Sequence, residues 1–140
     1  MENVKVKYID GAKPISIEAN GDWVDLRSRI TIEMKAGEYR RIPLGVAMEL
    51  PIGFEGHVLP RSGTYEKWGI TMVNSEGIID NSYRGEWQFA AKADRDTIIY
   101  AGDRICQFRI ERKQSIMLLE VDELSETSRG EGGFGSTGVR

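Results

Sequence analysis

Cysteine and histidine occur once each in 140 residues, proline four times, and no apolar run approaches the stretch needed to cross a bilayer, which is roughly 20 residues. Each scarcity removes a class of mechanism. Cys106 alone cannot form an internal disulfide, so the fold does not depend on an oxidising compartment. His57 alone cannot supply a multi-histidine metal site, and no second histidine exists to serve a nucleophile elsewhere. Catalysis therefore falls to carboxylates or to a hard cation held by oxygen. A basic excess is lacking too: 19 Lys and Arg stand against 22 Asp and Glu, a net charge of -3. That argues against direct nucleic-acid binding by phosphate neutralisation, and an anionic ligand has to be met locally. The N-terminus, with Glu2 and Asp10 around short alternating runs, has no signal-peptide apolar region. No membrane association is expected, and the expected location is the cytoplasm.

The apolar residues that are present mostly recur with a period of two: Val4, Val6, Tyr8; Ile30, Ile32, Met34; and Ile105, Gln107, Arg109 alternating with Cys106, Phe108, Ile110. Turn chemistry separates the runs at Ala36-Gly37, Pro51-Ile52-Gly53, Gly69, Gly77, Arg84-Gly85 and Ala101-Gly102-Asp103. The spacing predicts one short helix, from Thr64 through Lys67 with Gly69 as its stop. An all-β sandwich or barrel with a single short helix follows. Composition changes after Leu124, and from Ser125 to Arg140 the large apolar residues are Phe134 and Val139. The chain thus divides into a β domain, 1–124, and a glycine-rich arm, 125–140, that cannot bury enough surface to order itself.

Three segments are over-specified for a plain β protein. Pro60-Arg61-Ser62-Gly63 places a cation, a hydroxyl and backbone N–H groups at a helix start, which suits an anion; the plainer alternative is an N-cap serine with a surface ion pair. Asn74 through Glu86 reads as a hairpin with Asp80 at its bend, and an Asp there is more often an Asx-turn former than a catalyst. Asn74, able to read a base edge, and Tyr83, a flat face for a sugar or base, change the balance. Gly102-Asp103-Arg104-Ile105-Cys106-Gln107 is a turn entering a strand, weak alone, with Asp103 and Arg104 open to reading as a turn ion pair. Asp25, beside Trp23, enters a strand and is placed to reach a hydrated Mg²⁺. In the arm, Arg129, Phe134, Ser136 and Thr137 suit a strap over an aromatic, phosphorylated ligand.

Taken in order, Asp25-Leu26-Arg27-Ser28, Pro60-Arg61-Ser62-Gly63, Gly77-Ile78-Ile79-Asp80 through Tyr83-Arg84-Gly85, Gly102 to Gln107, and Arg129 to Gly138 resemble the five motifs of the trimeric dUTPase family, with a likeness to members from Gram-positive bacteria and their phages. The resemblance implies a distorted jelly roll, or β-clip barrel, that assembles as a homotrimer with sites between subunits, the arm closing over a neighbour's site. It implies hydrolysis of dUTP to dUMP and pyrophosphate, which limits uracil in DNA and supplies dUMP for dTTP synthesis, in a bacterial cell or phage-infected host. Asp80 is then the general base; Arg61, Ser62, Gly63, Gln107, Arg129, Gly135 and Ser136 hold the phosphates; Asn74 and the main chain of Gly77, Ile78 and Ile79 read uracil. Tyr83 packs on the sugar and Phe134 stacks on the base. Mg²⁺ is the implied cofactor, carried by the phosphates and touched by Asp25 through water.

The sequence departs from the common pattern at Asp22-Trp23, at Thr64-Tyr65-Glu66 and at Cys106. Two alternatives follow from the same resemblance: a dCTP deaminase of the same fold, and a phage regulatory protein that binds a repressor partner.

Overall fold

The computed structural model describes residues 1–15, 21–138 and 140, and bears out the all-β architecture. In chain order the elements are β1 (Lys5–Tyr8), β2 (Val24–Arg27), β3 (Ile32–Met34), β4 (Tyr39–Pro43), β5 (Val46–Glu49), β6 (Phe54–Pro60), α1 (Thr64–Trp68), β7 (Ile70–Met72), β8 (Gly77–Ile79), β9 (Gln88–Ala93), β10 (Thr97–Ile99) and β11 (Arg104–Arg112). They form four antiparallel sheets, ordered β1-β5, β10-β3, β2-β11-β6-β8 and β4-β9-β7. The alternating residues Phe54, Gly56 and Val58 of β6 and Phe89, Ala91 and Ala93 of β9 face one core, as the two-residue period of a strand dictates. Trp87 lies at its centre, fully buried and edge-on to Phe108 with ring centroids 5.3 Å apart. It reaches that position because Gly56 has no side chain: a Cβ there would lie 2.8 Å from the indole ring. Among the described residues no helix is long and apolar enough to cross a membrane.

The predicted helix is present and stops where expected, at Gly69, whose left-handed φ of 62° lets its N–H cap Tyr65 O. Three details differ from the sequence reading. The segment 74–86 is not a hairpin: β8 pairs with β6, while β9 pairs with β4 and β7, so the chain changes sheets after Asp80. Asp80 sits just beyond β8, where Tyr83 N–H bonds back to its carbonyl at 3.0 Å. In β11 the simple alternation fails at a bulge: the register against β2 passes from Arg104↔Arg27 to Cys106↔Leu26, so Ile105 and Cys106 both enter the core. Gln107 therefore does not share a face with Ile105. Finally, β1 forms as predicted but its apolar residues stay half-exposed. They border a cavity of about 430 Å³ with Ile15, Val24 and Phe108, whose lining includes none of the predicted site residues.

Lys113 N–H donates to Gly53 O at 2.9 Å, and from there to Gly138 no described residue is in a strand or helix or is buried. Ile116, Met117, Leu118, Leu119, Val121 and Leu124 are left largely exposed. An apolar run of that length on a surface marks a place that another molecule covers.

Candidate functional site

At the junction of β6 and α1 the chain turns sharply, and each exposed donor is positioned by a buried one. Thr64, 1% exposed, accepts the Arg61 N–H at 2.8 Å and donates to Ile105 O at 2.9 Å, tying the turn to β11. The helix cap is Gly63, so Ser62 is not the N-cap; it stands exposed beside it. Arg61 Nε lies 3.0 Å from Asp25 Oδ1, and Arg104 Nη1 lies 3.1 Å from Asp25 Oδ2. Arg61 also donates to Arg104 O at 3.1 Å. Gln107, directly across from Asp25 on β11, donates to Pro60 O at 3.0 Å. Arg104 thus pairs across the sheet with Asp25, while Asp103 accepts the N–H of Tyr100 at 2.8 Å and closes its own turn. The structure brings together Asp25, Arg61, Ser62, Gly63 and Gln107, with Arg104 as a second cation sharing Asp25.

The predicted base and sugar residues lie elsewhere. Ile79, just before Asp80, pairs with Gly56, whereas Arg61 follows Pro60 four residues further along β6. At roughly 3.3 Å per residue that is a separation of at least about 13 Å within one chain. Around Asp80 the walls are Ile78, Ile79, Tyr83, Glu86 and Trp87, bordering a cavity of about 240 Å³. The Tyr83 hydroxyl donates to Glu86 O at 3.0 Å, and the ring lies so close to Gly85 that a Cβ there would meet the hydroxyl at 2.5 Å. Asn74 sits on a tight turn in which Ser75 has a φ of 61° and Glu76 N–H bonds to Asn74 O at 2.6 Å.

Among the described residues the arm's hydrogen bonds run within the arm. Arg129 Nε donates to Gly132 O at 2.6 Å, Ser136 N–H bonds to Gly133 O at 3.0 Å, and Gly132 to Thr137 with Arg129 curl around a cavity of about 350 Å³. Phe134 is fully exposed with a φ of 53°. Outside glycine that conformation costs of order 1 kcal/mol or more, and it concentrates at sites where a partner fixes the chain.

Sequence reasoning missed several positioning groups. Arg29 forms two hydrogen bonds with Glu86, at 2.8 and 3.2 Å, and Glu86 also accepts Gly45 N–H at 2.9 Å, fixing the segment on which Tyr83 leans. Asn81 donates to the carbonyls of Leu50, Pro51 and Phe54 at 2.8–3.3 Å and anchors the turn after Asp80. An Asx residue beside Asp80 was a usable signal; the Arg29–Glu86 pair, 57 residues apart, left none. Cys106 is fully buried, and burial above all pushes its thiol far up, so it is an inert core residue.

Residues 22–138 match the family model described as dUTPase. The chain belongs to the dUTPase family. It is 49% identical over 142 residues to the SPbeta prophage-derived deoxyuridine 5'-triphosphate nucleotidohydrolase YosS of Bacillus subtilis (strain 168), covering 98% of this chain and 99% of that one. Two solved phage dUTPases share its fold. One, from Staphylococcus bacteriophage 80alpha with dUPNHPP, superposes with a TM-score of 0.86 at 24% identity over 99% of this chain and 100% of that one; its description says that phage dUTPases control transfer of virulence genes. The other, a variant from Staphylococcus aureus phage phi11 described with a structural Mg(II) ion, has a TM-score of 0.79 at 20% identity over 86% of this chain and 97% of that one. The prophage origin of the Bacillus relative is consistent with the likeness to Gram-positive and phage members read from the motifs.

Proposed function

We propose that this dUTPase-family chain hydrolyses dUTP to dUMP and pyrophosphate, in a homotrimer whose sites are assembled from more than one copy. The observation that carries this is the extent of the family match, from residue 22 to 138, through every segment in which a site residue falls. The Bacillus relative is named for the same activity. Assembly is supported by the separation within one chain: Asp80 stands about 13 Å or more along the sheet from the Arg61 cluster, and among the described residues the arm's hydrogen bonds stay within the arm.

In this mechanism Asp80 takes a proton from the water that attacks the α-phosphorus; the new P–O bond forms as the bond to pyrophosphate breaks. Arg61, Ser62, Gly63 and Gln107 hold the phosphate chain and offset charge that develops in the transition state, joined by Arg129, Gly135 and Ser136 of an arm. Asn74 and the main chain of Gly77, Ile78 and Ile79 pair with uracil's donors and acceptors, which cytosine would leave mispaired. Tyr83, braced on Glu86 O, packs on the deoxyribose, and Phe134 stacks on the base. Mg²⁺ enters with the triphosphate as part of the substrate. Both Asp25 oxygens are engaged by guanidiniums, and the described residues hold no group of three or more His, Cys, Asp or Glu placed to cage a metal. Of the residues present, Asp25 would meet the hydration shell of an ion carried by the phosphates, and that ion would lower the charge on the phosphate chain.

Pyrophosphate release from dUTP, dCTP, dTTP and UTP with Mg²⁺ tests the proposal, with dUTP expected to be strongly preferred. A flat profile would overturn it, and ammonia release from dCTP would move the activity to the deaminase alternative.

A further inference from the structure

The one histidine of the chain has no part in the mechanism above, yet it occupies the most charged spot on the outward face of the β2-β11-β6-β8 sheet. His57 lies on β6 across from Arg109 of β11 and Ile78 of β8. Three carboxylates from three places converge on its ring. Nδ1 is bonded to Glu76 in the turn before β8, and Nε2 lies 2.8 Å from Glu55 of β6 and 3.7 Å from Glu111 of β11. The other charge facing it, Arg109, is paired with Asp22 at 3.2 Å and Glu111 at 3.4 Å. Nδ1 makes a hydrogen bond with Glu76, whereas the buried Nε2 makes none and faces Glu55 and Glu111 at ion-pair distance. Three carboxylates around one ring favour its charged form. Burial opposes that charge, but the bond to Glu76, the charges of Glu111 and Glu76 and the nearby Glu55 outweigh it and raise the titration from the ordinary histidine value.

Glu76 is the link to the site. It closes the 72–76 turn, which holds Ser75 in the left-handed region, presents Asn74 and runs straight into Gly77. A turn strained at a non-glycine residue persists only where its surroundings fix it.

We propose that His57, as the imidazolium, is a positioning residue for base recognition: it clamps Glu76, fixes the 72–76 turn and the entry to β8, and releases them when the ring loses its proton. This rests on reading Asn74 and Gly77 to Ile79 as the base-contacting segment. The sign follows from the direction of the shift. The raised folded value means that the clamp is fully formed below the usual histidine value of about 6.5 and is lost as pH climbs through the raised one. Beyond it, Glu55, Glu76 and Glu111 face one another without a cation between them.

With one histidine, the NMR titration of the intact protein needs no assignment. Its midpoint is expected above the ordinary histidine value and lower in Glu76→Gln. Steady-state kinetics with Mg²⁺ and dUTP from pH 6 to 9 are expected to show KM rising across that midpoint by about three- to tenfold, the scale of one net hydrogen bond, with kcat changed less than twofold. In His57→Gln and Glu76→Gln the KM should be raised already at pH 6 and its step lost, and comparison with them removes the nucleotide's own titration. The double variant should be no worse than either single one. A histidine midpoint at or below the ordinary value, or a wild-type KM step that survives in both variants, overturns the clamp. An Asn74→Ala protein with unchanged KM and base preference, alongside the expected histidine titration, would instead overturn the base-contact reading on which the clamp's role depends.

Discussion

The β6–α1 junction and the C-terminal arm carry the same equipment, an arginine, a serine and glycine N–H groups, yet they are built in opposite ways. At the junction Arg61 is held by Asp25 and by Arg104 O, and the turn beneath it hangs on a buried threonine. In the arm Arg129 bonds only to its own loop at Gly132, and Phe134 projects fully into solvent. The junction's ordering cost is met by folding, because its ties run into the core; the arm's remains to be met when a ligand and a neighbouring chain arrive. Under the proposed function the two would be complementary: a phosphate grip that exists beforehand would recognise the substrate, and a lid formed later would exclude water once it is bound.

The largest effect is expected at the group that belongs to neither region. Asp80→Asn should lower kcat by about 10²-fold or more, the scale of a positioned base, while nucleotide binding measured by calorimetry is kept. Deleting the chain from Arg129 onward should cost about 10²-fold in kcat/KM, the loss of one stacked ring and a phosphate contact, with the same mass by sedimentation; normal turnover would remove the arm from the site. Thr64→Val strikes the prebuilt region. It strands the Arg61 N–H and Ile105 O, and should lower unfolding free energy in urea by about 1–3 kcal/mol. Phe134→Ala is the counterpart in the arm and should shift that free energy by less than about 0.5 kcal/mol while still weakening dUTP turnover.

The same contrast explains what the sequence made legible. Local signals carried well: alternation located the strands, Gly69 ended the helix, and the short motifs at Asp25, Arg61 and Gln107 fall together in the fold. Features set by pairing between distant strands did not. The bulge at Ile105 exists only against β2, and β8 turns to β6 because Gly77 pairs with Val58. The clasp from Thr64 to Ile105 spans 41 residues and the staple from Arg29 to Glu86 spans 57. Thr64, met first as a departure from the family pattern, is the buried group that shapes the phosphate turn. Ile116 to Leu124 is as apolar as a core strand, yet its large side chains stay largely exposed in the single chain.

That a complete site takes parts from more than one chain is the claim on which the rest depends, and complementation measures it directly. Full-length Asp80→Asn chains and chains truncated before Arg129, each nearly inactive alone, are unfolded together, refolded at equal amounts and assayed for pyrophosphate release. Sites that draw Asp80 and the arm from different chains should return about one quarter of wild-type turnover per site, the product of two independent halves. Turnover no higher than the average of the two separate variants would contradict it.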